Sequence, residues 1–146
     1  MQVQPYLYFD GKTEEALKFY EAKLGAKIDM MLRFSDAPKG SMPEEGSPGG
    51  PPPGSANKVM HSNFRIGENQ IMASDGMCGG HAEFKGISLT ISVPAEAEAE
   101  RLFAAISSEG GKVQMPMTAT FFAARFGMAA DKFGVSWMIL GGPRQP

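Results

Sequence analysis

Apolar residues recur along this chain in two rhythms. Where they alternate with polar neighbours they mark one face of a strand, and where they recur at three and four they mark one face of a helix. Residues 3–9 alternate and are aromatic-rich, which predicts a strand. Asp10-Gly11-Lys12-Thr13 follows as a turn, with Asp10 and Thr13 as N-cap candidates. Glu14 and Glu15 suit the positive end of a helix dipole. Ala16, Leu17, Tyr20 and Leu24 lie at helical spacing, Phe19 widens that face, and Gly25 is placed to stop the helix. Residues 27–34 read as a second strand. Residues 59–66 and 70–73, joined by Gly67-Glu68-Asn69, read as a hairpin.

The later half runs through the same order. Residues 86–93 alternate, with Ile87, Leu89, Ile91 and Val93 on one face. Pro94 suits a first helical turn. Ala99, Leu102, Phe103 and Ile106 form an amphipathic stripe, and Gly110-Gly111 is placed to end it. Residues 112–117, 121–130 and 135–140 read as strands, with Asp131-Lys132-Phe133-Gly134 as the last turn. The repeat extends to residues: Gly25-Ala26-Lys27-Ile28-Asp29-Met30 matches Gly110-Gly111-Lys112-Val113-Gln114-Met115. Each half is a βαβββ module that cannot bury its sheet alone. The fold expected is α+β: two tandem βαβββ modules, residues 3–75 and 86–140, in one domain over residues 1–146. A helix covers one face of each sheet, and the other faces form a curved mixed sheet around a cleft, the natural ligand site.

Composition alters this picture in one place. Between residues 37 and 56, eleven of twenty positions are Gly or Pro, including Pro51-Pro52-Pro53. Such a stretch reads as a flexible or polyproline-like loop, either a lid or a plain surface excursion. The hydrophobic fraction of 42% is enough for a core. A net charge of −2, from 14 basic and 16 acidic side chains, gives no footprint for nucleic acid. No apolar run is long enough for a membrane span, and the start of the chain does not read as a signal peptide. A single cysteine, Cys78, excludes an intrachain disulfide framework and fits a reducing, cytoplasmic setting. Phosphate-loop, GxGxxG, CxxC, HExxH and GxSxG patterns are absent, which disfavours the common nucleotide, zinc-protease and serine-hydrolase plans.

Few side chains remain that could carry chemistry. His61 is one of two histidines and opens a strand. Facing the cleft it would be a general base; otherwise it is a partly buried imidazole bonded to backbone. Arg125 could clamp a carboxylate or phosphate, or form a salt bridge to Asp131 or Asp75. His81 with Asp75, Cys78 and Glu83 could make a metal site, although the spacing matches no strong motif and the segment reads equally as a mobile crossover. Cys78 has no strongly basic neighbour in sequence to activate it. Phe121, Phe122, Phe126 and Trp137, with the 11 methionines, could line an apolar pocket or simply fill core and interface.

Several segments, in this order and spacing, resemble the vicinal oxygen chelate superfamily, which includes glyoxalase I, bleomycin-resistance proteins and extradiol dioxygenases. They are similar in particular to its PhnB-like branch, often labelled demethylubiquinone-methyltransferase-like. The segments are Gln4-Pro5-Tyr6-Leu7-Tyr8-Phe9, Glu15-Ala16-Leu17-Lys18-Phe19-Tyr20, Val59-Met60-His61, Ile71-Met72-Ala73-Ser74-Asp75, Arg125-Phe126-Gly127-Met128 and Asp131-Lys132-Phe133-Gly134-Val135-Ser136-Trp137-Met138-Ile139. The resemblance implies a small-molecule ligand, a homodimer, and a divalent metal held by His and Glu from the first and last strands of each module. The corresponding positions here fall near Pro5, at Ser88, at Met138 and within residues 70–73, so the usual quartet is missing. The expected protein therefore has this fold and binds a small organic molecule without that quartet. Alternatives are a metal-dependent lyase or dioxygenase with a rearranged site, or a drug-sequestering binding protein. A Rossmann-type methyltransferase would need a strand and Gly-rich loop for its nucleoside, which this sequence lacks.

Overall fold

In the computed structural model, residues 1–76 and 80–143 are described. The chain divides into two compact units, Met1–Ala82 and Glu83–Pro146. The first contains β1 (Tyr6–Tyr8), α1 (Thr13–Leu24), β2 (Lys27–Arg33), β3 (Val59–Ile66) and β4 (Asn69–Ser74), with a 3-10 turn at Phe34–Asp36 after β2. The second contains β5 (Leu89–Val93), α2 (Glu96–Ile106), β6 (Lys112–Thr118), β7 (Arg125–Ala130) and β8 (Ser136–Gly141). The sheets are four-stranded and mixed, ordered β1-β4-β3-β2 and β5-β8-β7-β6. In each, the first strand pairs parallel with the last and the other pairs are antiparallel. The fold is therefore α+β, built of two tandem βαβββ modules.

In the N-terminal module, Leu7, Leu17, Tyr20, Phe64 and Ile71 are buried, with the Tyr20 and Phe64 rings stacked at 5.8 Å. Alternation along β3 sends Ser62 and Phe64 to the α1 side, leaving His61, Asn63 and Arg65 on the opposite face. Neither Asp10 nor Thr13 caps α1 with its own side chain. The cap residue is Lys12, which makes no side-chain bond, and the capping role passes to Asp75 at the end of β4. Its Oδ1 accepts from Gly11 N at 2.8 Å, Thr13 N at 3.0 Å and the Thr13 hydroxyl at 2.6 Å, and its Oδ2 accepts from Val59 N at 2.8 Å. A buried carboxylate at a helix N-terminus thus joins α1, β3 and β4. Gly25 ends α1 in the left-handed conformation at φ 68°, as its placement predicts.

In the C-terminal module, α2 lies against β7 and β8 with almost no space beneath it. A Cβ on Gly141 would stand 2.6 Å from Ala99 Cβ, and one on Gly127 would stand 2.8 Å from the Phe103 ring. The helix stops earlier than Gly110-Gly111 suggests. Its C-cap is Ser107, whose hydroxyl donates to Phe103 O at 2.9 Å, and the Ser108 hydroxyl donates to Ala105 O at 2.5 Å. These hydroxyls compete with the helix ladder and end it. The β7–β8 hairpin is held by Asp131. Its Oδ1 accepts from Phe133 N at 2.9 Å and Val135 N at 3.1 Å, and its Oδ2 accepts from Trp137 Nε1 at 2.9 Å.

The internal repeat extends to a structural irregularity. The β2/β3 register shifts between Ile28 and Met30, and the β6/β7 register shifts between Val113 and Met115. Asp29 and Gln114, matched in the sequence repeat, are therefore the bulged residues of their strands. Residues 37–56 form neither helix nor strand, but they are bonded internally. Gly46 N donates to Pro51 O at 2.8 Å, Ser55 N donates to Glu45 Oε1 at 2.9 Å, and Ser55 is buried. The expected strand from residue 121 begins only at Arg125; Phe121 and Phe122 sit in the preceding loop, where Thr120 and Ala123 bond each other.

Asp75→Ala should cost about 3 kcal/mol or more in urea unfolding, because three backbone N–H groups lose a charged acceptor. Asp75→Asn should cost less, since its amide keeps one acceptor while turning a donor toward another. In thermal melts, Gly127→Val should cost roughly 1–3 kcal/mol, from overpacking against Phe103, and Gly127→Ala should be milder.

Candidate functional site

The face of the N-terminal sheet away from α1 carries three rows of side chains. The central row runs Tyr6, Met72, Asn63, Met30 across β1, β4, β3 and β2. Beside it run Tyr8 and Ser74 on β1 and β4, and His61 and Leu32 on β3 and β2. On the other side Gln70 pairs with Arg65 in register, and Gln4 Nε2 donates to Gln70 Oε1 at 3.1 Å.

His61 and Tyr6 meet on this face. Tyr6 Oη and His61 Nδ1 are hydrogen-bonded at 2.9 Å, and their rings lie 5.6 Å apart. Tyr8 adds a third ring, 5.0 Å from Tyr6. The phenol fixes the imidazole through one nitrogen and leaves Nε2 as its other polar atom. Two residues along β3, the Asn63 Oδ1 is buried without a hydrogen-bond partner. At the margin, Arg65 Nε and Nη2 donate to Asp29 at 2.8 and 3.0 Å, and this hydrogen bonding holds the Asp29 carboxyl below its usual range. That pair is exposed, so solvent screens it.

The corresponding face of the C-terminal sheet is less polar. Its central row is Thr90, Met138, Met128, Met115, and beside it lie Ser92, Leu140 and Phe126. At one end a chain of hydroxyls runs from Ser88 to Ser136 at 2.8 Å and on to Gln114 Oε1 at 3.0 Å.

The remaining candidates take different places. Arg125 is half-buried on the α2 side, with Nε 2.7 Å from Glu100 Oε1. The contact is an ion pair whose N–H direction misses hydrogen-bond alignment, and it replaces the expected pairing to Asp131 or Asp75. Trp137 is buried on the same side and bound to Asp131. Phe126 lies on the opposite face, with the Phe122 ring edge-on at 5.1 Å, while Phe121 is 82% exposed. The Asp75 oxygens are engaged by their four donors. His81 and Glu83 are exposed, and Cys78 lies outside the described residues.

The donors at the positions where the resemblance implies a divalent metal do not fit one. At those positions stand Tyr6, Gln70 and Met72 in one unit and Ser88, Thr90 and Met138 in the other, none of them a carboxylate or an imidazole. Thioethers are poor partners for hard divalent ions, and the amide and hydroxyls beside them bring no anionic donor to hold one. Among the described residues no three His, Cys, Asp or Glu side chains cluster. Two residues of the face, Tyr6 and Asn63, escape the sequence reading. Tyr6 meets His61 only through the parallel β1/β4 pairing, which no local pattern encodes. Asn63 is recognisable in principle as a polar position on the face opposite Phe64.

Comparisons with known proteins agree with this architecture. The family model described as 3-demethylubiquinone-9 3-methyltransferase matches residues 1–140. Protein YjdN of Escherichia coli is 36% identical over 100% of this chain and 99% of its own length. The crystal structure of protein PA1353 from Pseudomonas aeruginosa is 40% identical, covers 98% of both chains and superposes with a TM-score of 0.81. A putative 3-demethylubiquinone-9 3-methyltransferase, PhnB protein, from Bacillus cereus shares the fold at 24% identity, with a TM-score of 0.75 over 97% of this chain and 100% of that one. At 15% identity, a glyoxalase/bleomycin resistance protein from Albidiferax ferrireducens has the same fold, with a TM-score of 0.58 over 98% and 100%. The chain belongs to the 3-demethylubiquinone-9 3-methyltransferase family, and it shares the fold of the PhnB and glyoxalase/bleomycin resistance structures.

Proposed function

We propose that this protein binds a small organic molecule on the open face of its N-terminal sheet, and that it does so without a metal quartet. The observation that carries the reading is the Tyr6–His61 hydrogen bond of 2.9 Å, set on a face that also carries Tyr8, Met30, Met72, Asn63 and Gln70. A strand face built for packing alone would be mostly apolar, as the α1 side is with Leu7, Phe64, Ile71 and Ala73. Met30, Met72, Tyr6 and Tyr8 offer adaptable, polarisable surface to a flat ligand. A ligand proton set against His61 Nε2 would meet a base whose ring is already oriented by a phenol. Arg125, paired with Glu100, holds α2 to β7 in this reading. Methyl transfer finds no support in the strand–helix connections, since Asp10-Gly11-Lys12 and Pro94-Ala95 do not make the Gly-rich nucleoside seat of a Rossmann methyltransferase.

The protein is further proposed to act as a cytoplasmic homodimer. Edge strand β6 exposes Val113 and Met115, and apolar edges invite a partner. Among the described residues no helix is long and apolar enough to cross a membrane.

Chelator-treated protein screened with aromatic fragments by amide NMR should show shifts at Tyr6, His61, Asn63 and Met72, unchanged by added Zn, Ni, Mn or Fe. Binding that appears only with metal, or maps elsewhere, would overturn the reading. His61→Ala should weaken such fragments about five- to tenfold, the worth of one hydrogen bond, and leave the amide spectrum folded. Light scattering after gel filtration should give twice the 15.6 kDa chain mass; a monomer at high concentration would refute the dimer.

A further inference from the structure

The open face of the C-terminal sheet differs from its N-terminal counterpart along one row. By register, Met115, Met128 and Met138 stand side by side on β6, β7 and β8. The matching positions of the N-terminal module hold Met30, Asn63 and Met72, so there an amide separates the two thioethers. The C-terminal row instead places three sulfurs on three adjacent strands.

This row points away from α2. The next residues along β7 and β8, Gly127 and Ile139, face the helix side, Gly127 against Phe103 and Ile139 fully buried. Met115 is 41% exposed, and Met128 and Met138 are half-buried, so the row is reachable from solvent. Adjacent strands lie about 4.8 Å apart. A methionine stem is unbranched and has three rotatable bonds, so Met115 and Met138 can swing their sulfurs toward Met128 from either side. Three neutral thioethers brought together in this way make a trigonal donor set.

Such a set selects by softness. Thioether sulfur is polarisable and uncharged, which suits Cu(I), whereas Mg, Ca and Mn call for oxygen. Lys112, in line with Ala130 and Ser136, stands on the same face, but it is exposed and water screens its charge from a bound monocation. Leu140 and Phe126 flank the row on its other side and shelter the sulfurs from water.

We infer that Met115, Met128 and Met138 form a binding site for a soft monovalent cation, Cu(I). Two of the three ligands come from β6 and β7, so this site is not the His and Glu arrangement that the resemblance implies. It also stands apart from the binding face proposed for the N-terminal unit.

The Cys78 thiol would itself take Cu(I), so the test uses the full chain carrying Cys78→Ser. Cu(I) alone is titrated without oxygen, in ascorbate, against a chromophoric Cu(I) chelator, and the methionine methyl groups are followed by NMR. One equivalent should be withdrawn from the chelator, with the methyl signals of Met115, Met128 and Met138 moving together. Met128→Leu and Met115→Leu, which nearly conserve volume, should each keep a folded amide spectrum. Each should weaken Cu(I) by about tenfold or more, because two thioethers remain where three were. Met42→Leu, an exposed methionine of the Gly- and Pro-rich loop, should leave the affinity unchanged. Failure to withdraw Cu(I) from the chelator, or shifts confined to other methionines or to the histidines, would overturn the site. Folded Met128→Leu and Met115→Leu proteins that bind as tightly as their parent would overturn it equally. Zn(II) moving the same three methyl signals at the same concentration would refute the selection by softness.

Discussion

The Asp75 carboxylate is the constraint around which the N-terminal module is organised. A strand that ends beneath a helix N-terminus leaves backbone N–H groups buried and pointing at one place. Asp75 answers them with a single negative charge, accepting from the α1 entry at Gly11 and Thr13 and from the start of β3 at Val59. These contacts set α1 over the sheet, and hence decide which face it covers. The face left open, bearing His61 and Asn63, is a consequence of that placement.

The C-terminal module reaches the same architecture by the opposite means. By register Met138 is the counterpart of Met72, which makes Gly141 the counterpart of Asp75. Where one module places a charged acceptor, the other places no side chain at all, and the helix closes to within contact of Gly141 and Gly127. Hydrogen bonding fixes one helix and close packing fixes the other. Asp131 then supplies a carboxylate elsewhere, locking the last hairpin and the Trp137 indole together.

This difference explains what was legible in the sequence. Alternation and helical spacing reveal every strand and both helices, and the matched runs at residues 25–30 and 110–115 reveal the repeat, because these are local consequences of one-sided burial. The N-cap of α1 is not legible, since its acceptor lies 62 residues from Thr13. The Tyr6–His61 pair spans 55 residues and depends on parallel pairing of β1 with β4. The end of α2 is misplaced because Gly110-Gly111 is the louder signal, while Ser107 and Ser108 stop the helix with side-chain bonds. Arg125 reads as an anion clamp or a partner of Asp131 or Asp75 until the register turns it toward α2 and Glu100.

The side chains that hold each module together lie on its helix-covered face, so the open face is free to vary without loss of fold. That freedom is visible within the single chain. His61 and Asn63 on one open face have Phe126 and Met128 as counterparts on the other, although strand order, register and even the β-bulge are shared. It also accounts for open faces that keep the same strands while carrying thioethers, hydroxyls and amides in place of one another. Fold membership therefore constrains where chemistry can occur in this protein, and the residues present on the open face constrain what that chemistry can be. On that criterion the polar N-terminal face, with an oriented imidazole beside an unpaired amide, is the part of the molecule whose side chains packing alone does not explain.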